Sequence, residues 1–160
     1  ELDPRITASD ADTATWVSRL AEMQDLLSRS LHGLEDLRDS RTQIEALMSN
    51  YADDSALQEM GNAANAAIGA WEENITQLKH QTYEDEDAWK TMLAGQLRYL
   101  LDVIDRSGPP VTDGAMTRMR DLKAEWQTRE AEMRAIADSH IRPINEWAQA
   151  HQVDHISVPK

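Results

Sequence analysis

The feature that most constrains this chain is a long apolar seam near its start. Trp16, Leu20, Met23 and Leu27, then Leu34, Leu37, Ile44 and Met48, recur at alternating steps of four and three. That is a heptad spacing, and it predicts one helix with a continuous apolar stripe, broken by polar Ser30 and Arg41. Ser9 or Asp10 can cap its start, with Asp12 adding favourable charge in the first turn. Running to Asn50, it would span ~60 Å at 1.5 Å per residue. A helix of that length must bury its stripe against several partners or present part of it to another molecule.

Partners follow in order. "NYADDSAL" supplies a turn and a fresh cap at Asp53 or Asp54. A second helix then carries Leu57, Met60, Ala64, Ala67 or Ile68, Trp71, Ile75 and Leu78, and its small-residue middle invites close approach of a neighbour. A third follows the acidic "HQTYEDED" and presents Trp89, Leu93, Leu97, Leu100 or Leu101, and Ile104. Gly108 suits a left-handed position past a helix end, and Pro109-Pro110 forbids continuation. Thr112 or Asp113 restarts the chain as a fourth helix through Met116, Met119, Leu122, Trp126, Met133 and Ile136. Pro143 predicts a kink or break near Ser139 to Arg142, followed by a short helix to about Ala150. The expected fold class is therefore all-α: an up-and-down antiparallel bundle of four main helices with a short Pro-kinked C-terminal helix, helix one overhanging the others. The expected divisions are 1–8 as the end of a preceding β-sandwich or a linker, 9–150 as the bundle, and 151–160 as an irregular tail.

With 160 residues and 41% hydrophobic content, the chain can bury a real core. Its net charge of -13 repels phosphate backbones and anionic lipid, which argues against nucleic acid as a partner. No apolar run approaches the ~20 residues of a membrane span. Cysteine is absent, so disulfides, thiolate metal sites and a cysteine nucleophile are excluded.

Chemistry-bearing patterns are sparse. None of the five histidines has a carboxylate three positions before it, as a di-iron bundle requires. His151 and His155, with Asp154 between them, have the spacing of a two-histidine zinc edge on a helix, but they fall in the tail without an obvious third ligand. Glu72-Glu73 and the run from Glu84 to Asp87 read as helix-dipole or solvated charge rather than an acid/base pair. No Gly-x-Ser-x-Gly elbow or Gly-rich phosphate loop occurs. The expectation is no catalytic residue and no cofactor. Trp16, Trp71, Trp89, Trp126 and Trp147 all fall on apolar stripes and are expected in the core. Asn74-Ile75-Thr76 is a formal glycosylation sequon, meaningful only in a eukaryotic secretory host. Arg41 and Arg129 stand at heptad positions where leucine is expected. Each either snorkels near a bundle end or fixes helix register by pairing across helices with an acidic residue.

The stretch "AWKTMLAGQLRYLLDVIDRSGPPVTDGAMTRMRDLKAEW" resembles the C-terminal helical region of bacterial BNR-repeat, sortilin-type β-propeller proteins, often labelled glycosyl hydrolases. The matching residues are Gln96, Leu97, Tyr99, Leu100, Pro110, Thr112, Leu122 and Glu125, with Val111 separating a proline and threonine that the family has adjacent. "LDPRI", Leu2 to Ile6, is similar to the boundary where the family's small β-sandwich ends, and "IRPINEWAQAHQV", containing Asn145, to its closing segment. The resemblance implies a C-terminal module of a larger exported protein, periplasmic or extracellular. Any hydrolase activity would then belong to the propeller.

The function expected is a non-enzymatic helical module for structure and protein interaction. Its partner would be another protein or its own missing domains, with a homo-oligomer through helix one as a further possibility. The alternatives are a metal-binding bundle and an acidic mimic that binds a basic partner.

Overall fold

A computed structural model describes residues 7–79, 82 and 88–159. The Leu2–Ile6 boundary motif and all but Thr82 of the acidic run before the third helix lie outside the described residues.

All regular structure in the described residues is helical. Helix α1 is Asp10–Asn50 and α2 is Ser55–Ile75. Helix α3 is Leu93–Ser107 and α4 is Asp113–Ile136. A π-helical turn, Ala137–Ile141, leads into α5, Arg142–Ala150. The helix starts obey their sequence. The Ser9 hydroxyl accepts from the Asp12 amide at 3.1 Å while the Asp12 carboxylate accepts from the Ser9 amide at 3.0 Å, a reciprocal capping box. Asp54 accepts from the Leu57 amide at 2.9 Å, and Thr112 from the Ala115 amide at 3.2 Å. At the α3–α4 turn, Gly108 has φ 64° and ψ -174°, a region that residues with a Cβ essentially do not enter.

Contacts between helices give the topology. Arg38 on α1 reaches Glu72 on α2, and Gln58, early in α2, donates to the carbonyl of Met48, late in α1. Trp16 donates to the carbonyl of Ile104 at 2.8 Å. Both α2 and α3 thus run against α1, α2 along its second half and α3 along its first. Lys123 pairs with Glu22, Arg29 with Glu130, and Trp147 with Asp54, so α4 and α5 run parallel to α1. The helices go up, down, down and up. They form three columns: α1, the tandem α2–α3, and the continuous α4–α5.

This arrangement corrects the expected overhang of helix one. From Trp16 to Met48 its seam is buried or half-buried, because the two shorter helices divide its length between them. The two polar breaks in the seam are accommodated. Ser30 is fully buried and donates to the Leu27 carbonyl, and Arg41 reaches Glu72. Gly33 lets α1 approach the other columns closely, where a Cβ would lie 2.8 Å from the Met133 sulfur and 3.5 Å from Trp126.

Two further expectations change. Helix α2 stops at Ile75, leaving Leu78 exposed, and Trp89 precedes α3 instead of lying on it. Trp89 is 42% exposed, with the Lys79 ammonium 4.6 Å from its ring centre. The kink or break expected near Ser139 to Arg142 is a kink through a π turn: the Arg142 amide donates to the Ala137 carbonyl, five residues back. Widening the turn by one residue lets the helical column pass a proline, which has no amide to donate.

Candidate functional site

Among the described residues three polar side chains are buried, Ser30, Ser40 and Glu72, and Glu72 bridges two columns. Glu72, with a side chain only 4% exposed, is held by two arginines from α1. Arg38 Nε donates to its Oε1 at 2.7 Å, and Arg41 Nη1 lies 3.0 Å from Oε2. Fixed between two guanidinium groups, both carboxylate oxygens are satisfied, the condition under which a buried charge is tolerable. Arg41 therefore pairs across helices. Arg129 does not: its ion pair is with Glu132, one turn along α4, at 2.6 Å. What crosses columns at position 129 is the backbone, where the Trp71 indole donates to the Arg129 carbonyl at 2.7 Å.

Four of the five tryptophans pack on or into the core as expected. Trp16 and Trp71 each bond a carbonyl on another column, so a core side chain also serves as a cross-link. Trp126 is 1% exposed and its Nε1 finds no hydrogen-bond partner among the described residues. Trp147 joins a cluster at the α1–α2 turn. Its Nε1 donates to Asp54 Oδ2 at 3.1 Å, Tyr51 meets its ring edge-on at 5.1 Å, and His151 stacks on it at 4.0 Å. The Asp54 carboxyl is held below its ordinary range, first by the bond from the Leu57 amide and also by that from Trp147.

His151 and His155 fall just past the end of α5, so the helical spacing that would align them does not apply. His151 Nδ1 is 2.8 Å from the Trp147 carbonyl, and His155 lies beside an open cleft of about 540 Å³ near Asn50 and Tyr51. Among the described residues, no three histidine, aspartate or glutamate side chains form a group able to hold a metal ion.

The most specific constellation lies in the expected tail, 151–160. After α5 the chain turns back, and residues 153–159, without helix or strand, form a strap held to α5 at Ile156 and to α1 at Ser157. Ile156 is buried. Its amide donates to Asn145 Oδ1 at 2.6 Å, and Asn145 Nδ2 donates to its carbonyl at 3.0 Å. One asparagine thus satisfies both backbone groups of one residue, as a neighbouring strand would. The Ser157 amide donates to Gln43 Oε1 at 2.9 Å, and Ser40 Oγ donates to the Ser157 carbonyl at 2.8 Å. Ser40 and Gln43 sit three apart on one face of α1, which aims both at the same stretch of strap. The sequence signal is Ile156 itself, flanked by Val153 and Val158 in an otherwise mostly polar tail.

A broader open groove of about 1200 Å³ runs beside α3 and the start of α4, lined by Tyr99, Arg98, Asp102 and Arg118 among others. Tyr99 is 71% exposed there, and Arg118 bonds Gln96. Compared with known protein families, curated proteins and solved structures, the chain matches none.

Proposed function

We propose that this chain is a non-enzymatic helical module that mediates protein contacts, the C-terminal part of a larger exported β-propeller protein acting in the periplasm or outside the cell. The propeller context and the compartment rest on the sequence resemblance from Ala88 to Trp126. The observation that carries the non-enzymatic reading is how the interior polar groups are used. Among the described residues the buried polar side chains are Glu72, Ser30 and Ser40: two arginines from α1 hold Glu72, Ser30 donates to the Leu27 carbonyl of its own helix, and Ser40 seats the strap. A catalytic carboxylate needs access to substrate and a proton to move; Glu72 is locked between two permanently charged guanidinium groups.

The test is the reading frame upstream of Glu1. A propeller followed by a β-sandwich supports the reading, and a start codon immediately before Glu1 overturns it.

A further inference from the structure

The strap and the surface beneath it have the properties of a peptide and its receptor. Three side chains, Ser40, Gln43 and Asn145, bind backbone atoms of two consecutive residues, Ser40 sharing its hydroxyl with the Asp36 carbonyl of its own helix, while Ile156 provides one buried anchor. Recognition of extended backbone plus a pocket for one side chain is how strand-adding peptide sites work. None of these bonds depends on the segment being covalently attached to the molecule it covers.

The attachment itself is the uncomfortable part. Val153 donates to the Ala148 carbonyl at 3.0 Å and Gln152 to the Gln149 carbonyl at 3.2 Å, the paired closure that normally places glycine in left-handed geometry after a helix. Here that position is Gln152, with φ 57°, the one non-glycine residue with positive φ among the described residues. A short connection held in a conformation its side chain disfavours promotes exchange of the attached segment between molecules, because the hinge relaxes when it opens.

We propose that the groove formed by Ser40, Gln43 and Asn145 is a receptor for an extended peptide, and that the strap of a second copy of this chain occupies it by reciprocal exchange. The proposal is independent of the propeller context. It also moves the expected self-association from the seam of helix one, which is covered, to the far end of the third column.

Complementation tests it with the full chain. Ile156→Asp keeps the groove but spoils the strap; Asn145→Ala keeps the strap but spoils the groove. In sedimentation velocity, wild type should form dimer as its concentration approaches the millimolar range typical of a short tether's effective concentration. Each variant alone should remain monomeric, and their equimolar mixture should recover dimer through the one intact pair. A wild type that stays monomeric, a mixture that stays monomeric, or a variant that dimerises alone as wild type does overturns the proposal. Should either variant lose its helical circular dichroism, Gln152→Gly decides instead. With the hinge relaxed in the closed form, its dimer fraction should fall several-fold at equal concentration; an unchanged fraction overturns the proposal.

Discussion

Space and backbone geometry at single positions decide the effect of small substitutions. Gly114 and Gly33 both lie within helices, so alanine at either gains up to ~1 kcal/mol of helix propensity. At Gly114 an added Cβ meets nothing within 4 Å, and Gly114→Ala should stabilise the fold by ~0.5–1 kcal/mol in urea denaturation. At Gly33 it would press on the sulfur of Met133, a side chain only 4% exposed and packed in the core. Overpacking of this kind costs ~1–3 kcal/mol, so the steric term wins and Gly33→Ala should be a net loss of about 1 kcal/mol. Gly33→Ala as stable as Gly114→Ala would mean that the three columns are not locked where α1 passes Met133. Gln152→Gly removes the left-handed penalty of roughly 1 kcal/mol, part of which returns as unfolded-chain entropy. A small rise in the urea midpoint is expected.

Between elements, Arg41 and Arg129 separate two roles that the sequence left joined. Both interrupt an apolar heptad, but only Arg41 meets a carboxylate on another helix. Arg41→Leu strips one of two cations from a nearly fully buried Glu72, and leaving a buried charge underpaired is costly, up to ~3–5 kcal/mol when no partner remains. With Arg38 still present, a loss of ~1–2 kcal/mol is expected for Arg41→Leu. Arg129→Leu gives up only a local pair beside a half-exposed Glu132 and keeps the backbone carbonyl that Trp71 uses, so its cost should stay within ~1 kcal/mol. Equal losses in paired urea titrations would remove register-fixing from Arg41. The elements themselves were largely legible: the α1 seam, the caps at Ser9, Asp54 and Thr112, and the stop at Gly108 are local signals that the folded chain obeys. Direction and docking were not. Whether α3 returns beside α2 or continues its line depends on the segment between Ile75 and Leu93, and apolar periodicity is the same for either choice. Likewise, Pro143 announces a lost amide, but a break and a π turn answer it equally well in sequence. The strap escaped because its hold is made by side chains of Ser40, Gln43 and Asn145 on backbone, a pattern with no periodicity.

For the molecule as a whole, a net charge of -13 sets two acid-dependent terms against each other. Protonating exposed carboxylates relieves self-repulsion and favours the compact state. Against this, the carboxyls of Glu22, Asp12 and Asp54 are held below their ordinary range. For Glu22 the main cause is Lys123, 2.6 Å away; for Asp12 it is the Ser9 hydroxyl, and for Asp54 the Leu57 amide. Depressed folded-state values mean that the unfolded chain binds protons first. Their stabilisation is present above the ordinary carboxylate range near pH 4 and is lost as pH falls through the lower folded values. Repulsion acts across a screened surface, whereas the Lys123–Glu22 contact ties α4 to α1 directly, so the contacts should dominate in acid. The melting temperature should hold or rise slightly from pH 7 to about 5, then fall below about 4. Lys123→Met removes the main cause of the Glu22 shift and should make the acid limb shallower at fixed salt. A melting temperature that keeps rising to about pH 3, or an acid limb unchanged in Lys123→Met, would place control of stability in net charge rather than in contacts between columns.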